Sequence, residues 1–153
     1  MDTLYAMPGH LVRRAHQIST ALFADECAAF DLTSVQFAAL HAIGQNPLVD
    51  ATRLSALIAF DHSTIGDVLE RMESKGWIDR TPSARDRRVK LVRLSRAGTL
   101  LLKRVAPAVQ RVQDRLLAPL AETDRATFMR LLSQLGELRN EVTPAPLRNA
   151  AAD

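Results

Sequence analysis

The sequence predicts a mostly α fold carrying one small β-hairpin, and three observations predict it. Apolar residues recur at spacings of three and four along most of the chain, the period of helices with one buried face. Aromatic residues make up only 5%, and just two short runs, 77–81 and 89–94, suit strands. Between those runs lies PSARDRR, whose proline, serine and charges favour an exposed turn.

The first helix is expected to start after Pro8-Gly9 and run to about Phe30, with Leu11, Ala15, Ile18 and Leu22 as its apolar stripe. His10, Arg13 and Gln17 share a neighbouring stripe, and His16 lies one turn from Arg13. That polar stripe is either a solvated face or a binding face. Thr33 and Gln36 form a capping box for a second helix through Phe37, Leu40 and His41 to Ile43, stopped by Gly44 and Asn46-Pro47. Asp50 caps a short third helix, ATRLSALIAF, that turns Leu54, Leu57 and Ile58 to the core. A break at Phe60 to His62 follows, short enough for one helix to brace the next.

The next helix, in DHSTIGDVLERMESKGW, places Ile65, Val68, Leu69 and Met72 on one face and leaves the other free. Asp61 or Ser63 caps its start, and Gly76 tolerates the positive φ that ends it. After the hairpin, helix resumes from Ser95 with Leu102, Val105, Val109, Val112, Leu116 and Leu120 on a stripe, and Pro107 predicts a kink near Lys103 or Arg104. Thr123 is expected to cap a last helix bearing Phe128, Leu131, Leu132, Leu135 and Leu138, with a frayed or partner-packed tail from Thr143. These terminal helices carry more apolar surface than one small domain covers, which predicts pairing with a second copy.

Between Arg80 and Arg96 stand seven basic residues and one acidic one, a local charge of +6 in a chain whose net charge is +3. A helix followed by so basic a hairpin is a winged-helix pattern, and charge concentrated in this way can neutralise phosphates and release counterions. The same charge would also guard an exposed strand edge. At 153 residues and 47% hydrophobic content, the chain suits one compact domain with a helical appendage. No apolar run approaches the ~20 residues of a membrane helix, and MDTLYAMPGHLVRR lacks a signal-peptide core, so no membrane partner is expected. A single cysteine, Cys27, excludes an internal disulfide and suits a reducing cytoplasm. His10, His16, His41 and His62 are dispersed, without metal-ligand spacing, and neither a G-x-S-x-G nor a phosphate-cradling glycine loop is present. No metal, cofactor or enzymatic activity is expected.

The order of elements, the Ser63-Thr64-Ile65 helix start, the Lys75-Gly76 helix end, and Asp86-Arg87-Arg88 followed by Leu94-Ser95-Arg96-Ala97-Gly98 resemble the MarR family of bacterial winged helix-turn-helix regulators. The likeness spans roughly Pro8 to Glu141. It implies an N-terminal dimerisation helix over residues 1–32, a winged helix-turn-helix DNA-binding domain over 33–95, and C-terminal dimerisation helices over 96–153. The function it implies is a homodimeric repressor on a pseudo-palindromic stretch of double-stranded DNA.

A helix in the major groove would offer His62, Ser63, Thr64, Gly66 and Asp67 to base edges, with Arg71 one turn on. Gly66 lets the helix approach closely; Asp67 either accepts from cytosine N4 or pairs with Arg71. Many relatives have arginine where His62 stands and a basic or polar residue where Asp67 stands. By position the resemblance assigns Arg88 to the minor groove, Asp86 to orienting it, and Arg85, Arg87 and Lys90 to phosphates.

The opening PGHLVRRAHQIS resembles the first helix of MarR regulators that answer to small aromatic acids, of the hydroxybenzoate, cinnamate or hydroxynicotinate type. Arg13 is then the carboxylate ligand, with His10 and Gln17 beside it and Phe37 and His41 approaching from the second helix, although Phe37 equally suits plain core. Two other readings stand beside this one. The winged helix could bind protein and not DNA, or the repressor could sense oxidants through Cys27, whose neighbours Asp25 and Glu26 oppose thiolate formation.

Overall fold

A computed structural model describes residues 3–137. Leu138 and the tail from Thr143 lie outside the described residues. The elements follow in the order α1 (Thr3–Ala6), α2 (Pro8–Glu26), a 3-10 turn (Ala28–Phe30), α3 (Ser34–Gln45), β1 (Val49–Asp50), α4 (Ala51–Leu57), α5 (His62–Ser74), β2 (Ile78–Pro82), β3 (Lys90–Leu94), α6 (Arg96–Leu117) and α7 (Glu122–Gly136). No helix among them is long and apolar enough to cross a membrane. The fold is a winged helix-turn-helix with helical extensions at both ends.

Local chemistry explains most of the boundaries. The Thr33 hydroxyl accepts from the Gln36 N–H at 3.2 Å while the Gln36 side chain accepts from the Thr33 N–H at 3.1 Å, closing the capping box of α3. Asp50 caps α4 by accepting from the Arg53 N–H at 2.8 Å. Asp61 caps α5 through the Ser63 N–H and hydroxyl, and the same two bonds hold its carboxyl below the usual range. Gly76 leaves α5 with φ at +71°, a left-handed conformation that glycine adopts without cost.

Several boundaries differ from expectation. The first long helix stops at Glu26, and the chain reaches Phe30 through a 3-10 turn that ends on Asp31 in the left-handed region. Gly44 lies inside α3, close under Leu94 and Leu102, and does not stop the helix. α4 ends at Leu57, and the turn to α5 bends through Ala59 at φ 51°. The strands begin at Ile78 and Lys90, one residue later than the sequence runs suggest, because the Trp77 N–H closes back on the Met72 carbonyl and Val89 turns back on Asp86. A third strand, Val49–Asp50, pairs with Val92 and Leu91, giving an antiparallel sheet in the order β1-β3-β2. α6 runs through Pro107 as one helix and ends before Leu120. Ala121, not Thr123, is the N-cap of α7; its first turn carries Glu122 and Asp124, whose charges favour the positive end of the helix dipole without a side-chain cap.

One core joins these elements. Leu40 and Ile43 of α3, Leu54 of α4, Ile65, Leu69 and Met72 of α5, Ile78 of β2, Val92 of β3 and Val105 and Val112 of α6 are all essentially inaccessible. α2 joins this core through its C-terminal end, at Leu22 and Phe23, with Cys27 just past it, beside α6. Glu26 fixes that contact by accepting from Arg111 at 2.7 Å and Arg115 at 2.9 Å. The expected stripe of Leu11, Ala15 and Ile18 is exposed, and α7 buries no residue.

The wing and α6 meet at a tight joint. The Ser95 hydroxyl accepts from the Gly98 N–H at 3.0 Å, capping α6, and donates to the Gly76 carbonyl at 2.6 Å. The Ser95 N–H donates to the Trp77 carbonyl at 3.0 Å, and a Cβ on Gly98 would lie 2.0 Å from that carbonyl oxygen. Only glycine fits there. The Ser95-x-x-Gly98 pattern is therefore a packing requirement.

Candidate nucleic-acid interface and effector site

Helix α5 buries Ile65, Leu69 and Met72 and presents His62, Ser63, Thr64, Gly66, Asp67, Glu70 and Arg71 to solvent. The first turn of α5 lies at that exposed end, its Ser63, Thr64 and Ile65 N–H groups donating to Asp61, and the helix dipole favours negative charge there. Asp67 and Arg71 form no ion pair with each other, so the expected i, i+4 pairing is absent and both remain open on the outer face. An open groove of about 830 Å³ runs along this face, lined by Asp67, Glu70 and Arg71 of α5 and by Asp31, Thr33 and Gln36 opposite. Lys75 crosses one end of it, donating to the Asp31 carboxylate at 2.7 Å and carbonyl at 2.6 Å while resting 4.6 Å above the Trp77 ring.

The wing tip is built around Asp86. Its carboxylate accepts from the Arg88 backbone N–H at 3.0 Å and guanidinium at 3.3 Å, and its carbonyl accepts from the Val89 N–H at 3.0 Å. The Arg88 side chain is still 92% exposed. Arg85, Arg87 and Lys90 are exposed and form no ion pair among the described residues. The base of the wing differs from the tip. Arg80 is paired with Glu73 of α5 and Arg93 with Asp79 across the strands, so two of the seven basic residues are neutralised locally. Sequence reasoning counted them with the rest, since no local spacing rule links Glu73 to Arg80 across a helix end.

Of the expected effector residues, His10 and Arg13 meet, with Arg13 donating to His10 Nδ1 at 3.2 Å. Phe37 and His41 stack at 6.1 Å between ring centroids, and Phe37 touches Phe23 of α2 at 5.9 Å. Among the described residues no hydrogen bond, ion pair or ring contact joins these two groups, and Gln17 is exposed and makes none there. Cys27 is 1% exposed, and burial, with Glu26 next to it, pushes its thiol pKa up. A reactive cysteine needs the reverse of both conditions, so both oppose the oxidant-sensing reading.

A MarR family model matches residues 30–89, which hold the helix-turn-helix, β2 and the wing tip. A solved structure of a probable transcriptional regulator from Pseudomonas aeruginosa is 35% identical, covering 84% of this chain and 96% of its own, with a TM-score of 0.80. The chain belongs to the MarR family. MarR proteins are transcriptional regulators and not enzymes, and the geometry of α5 and the wing is that of their DNA-binding fold. The HTH-type transcriptional repressor NicR of Pseudomonas putida is 29% identical over 83% of this chain and 80% of its own length. BpsR of Bordetella bronchiseptica, whose DNA binding is regulated by 6-hydroxynicotinic acid, is 25% identical over 90% of this chain and 98% of its own, with a TM-score of 0.84. The site residues named from the sequence fall into an α5 face, a wing tip, the His10–Arg13 pair with Gln17 on the same helix, and the Phe37–His41 pair.

Proposed function

We propose that this MarR protein represses transcription as a homodimer in the cytoplasm, holding a pseudo-palindromic operator and releasing it when a small aromatic or heteroaromatic carboxylic acid binds. The observation that carries the DNA half is the division of charge in the wing: a base neutralised by Glu73 and Asp79, and a tip whose Arg85, Arg87 and Lys90 remain free. With α5 in the major groove, His62, Ser63, Thr64, Gly66, Asp67 and Arg71 face base edges and phosphates. The wing tip then follows the backbone to the minor groove, where Asp86 holds Arg88 in an orientation suited to a narrow groove.

The homodimer reading is supported by what one chain leaves uncovered. α7 exposes Met129, Leu131, Leu132 and Leu135, and the N-terminal helices expose Leu4, Tyr5, Met7, Leu11, Val12 and Ile18. A second copy covers such faces by two-fold symmetry, so residues 1–32 and 96–153 act as the dimerisation region around a DNA-binding unit at 33–95. For the effector, Arg13 binds the carboxylate with His10 and Gln17 beside it, while Phe37 and His41 hold the ring. The regulation of BpsR by 6-hydroxynicotinic acid supports that ligand class.

The test is binding to the intergenic DNA upstream of the chain's own gene at two salt concentrations, with a panel of benzoates, hydroxybenzoates, cinnamates and hydroxynicotinates. Salt-sensitive, sequence-specific binding abolished by one acid, with the effect lost in Arg13→Ala, is the expected result. Binding indifferent to every acid would overturn the effector half, and no specific binding at any salt would overturn the repressor.

A further inference from the structure

The inner face of a strand is an odd place for a cation meant for DNA. Side chains alternate along β2, so Arg80 shares a face with the buried Ile78, while Asp79 and Arg93 lie together on the other face. The Arg80 side chain is only 19% exposed, and both its Nε, at 2.7 Å, and a terminal nitrogen donate to the same Glu73 oxygen. Glu73 stands in the last turns of α5, one residue past the fully buried Met72. The pair thus fastens the recognition helix to the first strand of the wing, just before the tip diverges.

We propose that the Glu73–Arg80 pair is a brace that sets the angle between α5 and the wing, making Arg80 a positioning residue for DNA recognition and not a phosphate contact. The wing tip lies about five residues beyond Arg80, roughly 15 Å at ~3.3 Å per residue. A 10° pivot at an unbraced base therefore moves Arg85 and its neighbours by about 2.5 Å, nearly the length of a hydrogen bond. Helix and wing then no longer reach their two grooves together, and the loss falls on the selected sequence, whose recognition depends on register, more than on non-specific backbone binding.

The inference rests on the DNA-binding reading above, and its test separates the two. A duplex is selected from a randomised pool with the wild-type homodimer, and its affinity and that of a scrambled duplex are measured over a salt series for wild type, Glu73→Gln and Arg80→Lys. Both variants should lower the selected-over-scrambled ratio by roughly tenfold, the scale expected for losing a charge-assisted contact. The scrambled affinity and the salt slope should stay as in wild type. Tighter binding of Glu73→Gln to both duplexes, with the salt slope steeper by about 0.9, would show that the freed Arg80 takes a phosphate and would overturn the brace. An unchanged ratio in Arg80→Lys would overturn it as well. Amide exchange of the free protein supplies the readout that does not need DNA: residues 83–89 should exchange severalfold faster in Glu73→Gln while α5 is unchanged, and equal exchange would sink the brace. Failure of the wild type to select any duplex strikes the repressor reading alone.

Discussion

Replacing Gly66 by alanine should make the protein more stable and a poorer DNA binder. Gly66 is an interior residue of the 13-residue helix α5, and a Cβ placed on it meets nothing within 4 Å. With no steric cost, the substitution gains the helix propensity of alanine over glycine, about 0.8–1.0 kcal/mol. For a chain of this size that raises Tm by about 2–4 °C, compared at fixed protein concentration because the proposed pairing with a second copy would make Tm depend on it. The same methyl group projects from the exposed face that the DNA-binding reading turns to the duplex. Crowding a close-packed contact by one methyl costs about 1–3 kcal/mol, roughly 5- to 150-fold in affinity. Differential scanning fluorimetry and anisotropy on one fluorescent duplex read the two effects from the same sample. A higher Tm with unchanged affinity would refute the placement of Gly66 against DNA, and a lower Tm would refute the open space around it.

The opposite result is expected at Gly98, where an alanine Cβ would fall 2.0 Å from the Trp77 oxygen: Gly98→Ala should lose about 1–3 kcal/mol through overpacking, read as a lower urea midpoint. Arg88→Ala should weaken binding to selected and scrambled duplexes alike and reduce the salt slope by about 0.9 if the side chain neutralises one phosphate; loss confined to one sequence would contradict a width-reading arginine. Glu26, held by Arg111 and then Arg115, has its pKa lowered, so its contribution to stability is present above the ordinary carboxylate pKa and is lost as pH falls through the lowered folded value. The Tm gap between wild type and Glu26→Gln should therefore be widest near neutral pH and close in acid, and a gap that persists unchanged below pH ~3 would refute the ion-pair origin.

What was legible in the sequence is what local chemistry decides. Thr33 with Gln36, Asp50 before Arg53 and Asp61 before Ser63 each act within three residues, so their helix starts could be placed from the sequence. The strand Val49–Asp50 could not, because two residues become a strand only by pairing with Val92 and Leu91, more than forty positions away. Thr123 was a fair cap candidate on residue type alone, yet the chain enters α7 two residues earlier, where Glu122 and Asp124 favour the dipole without a capping hydroxyl. The charge count in the wing was legible in sum but not in distribution. Glu73 and Asp79, which cancel Arg80 and Arg93, precede the basic run in sequence and meet it only after α5 and the hairpin have folded back on each other.

The effector half illustrates the same limit at longer range. Periodicity correctly put His10 and Arg13 together, since residues three apart are neighbours on a helix, and put Phe37 and His41 together for the same reason. Joining the two groups is a question of how α2 passes α3, and among the described residues the ring contact between those helices is made by Phe23. At 1.5 Å per residue, Phe23 lies about 15 Å along α2 from Arg13 and about 20 Å from His10. The N-terminal half of α2, where the candidate carboxylate ligand sits, is thus exposed in the isolated chain and lies on the same helix as the apolar residues that dimerisation would cover. On the proposed function, effector binding and dimer packing act on one helix. A panel of acids tested against the Arg13→Ala homodimer should accordingly separate ligand binding, which the variant loses, from dimerisation, which it keeps, with sedimentation velocity as the measure of the second. A variant that became monomeric would show instead that Arg13 belongs to the subunit contact.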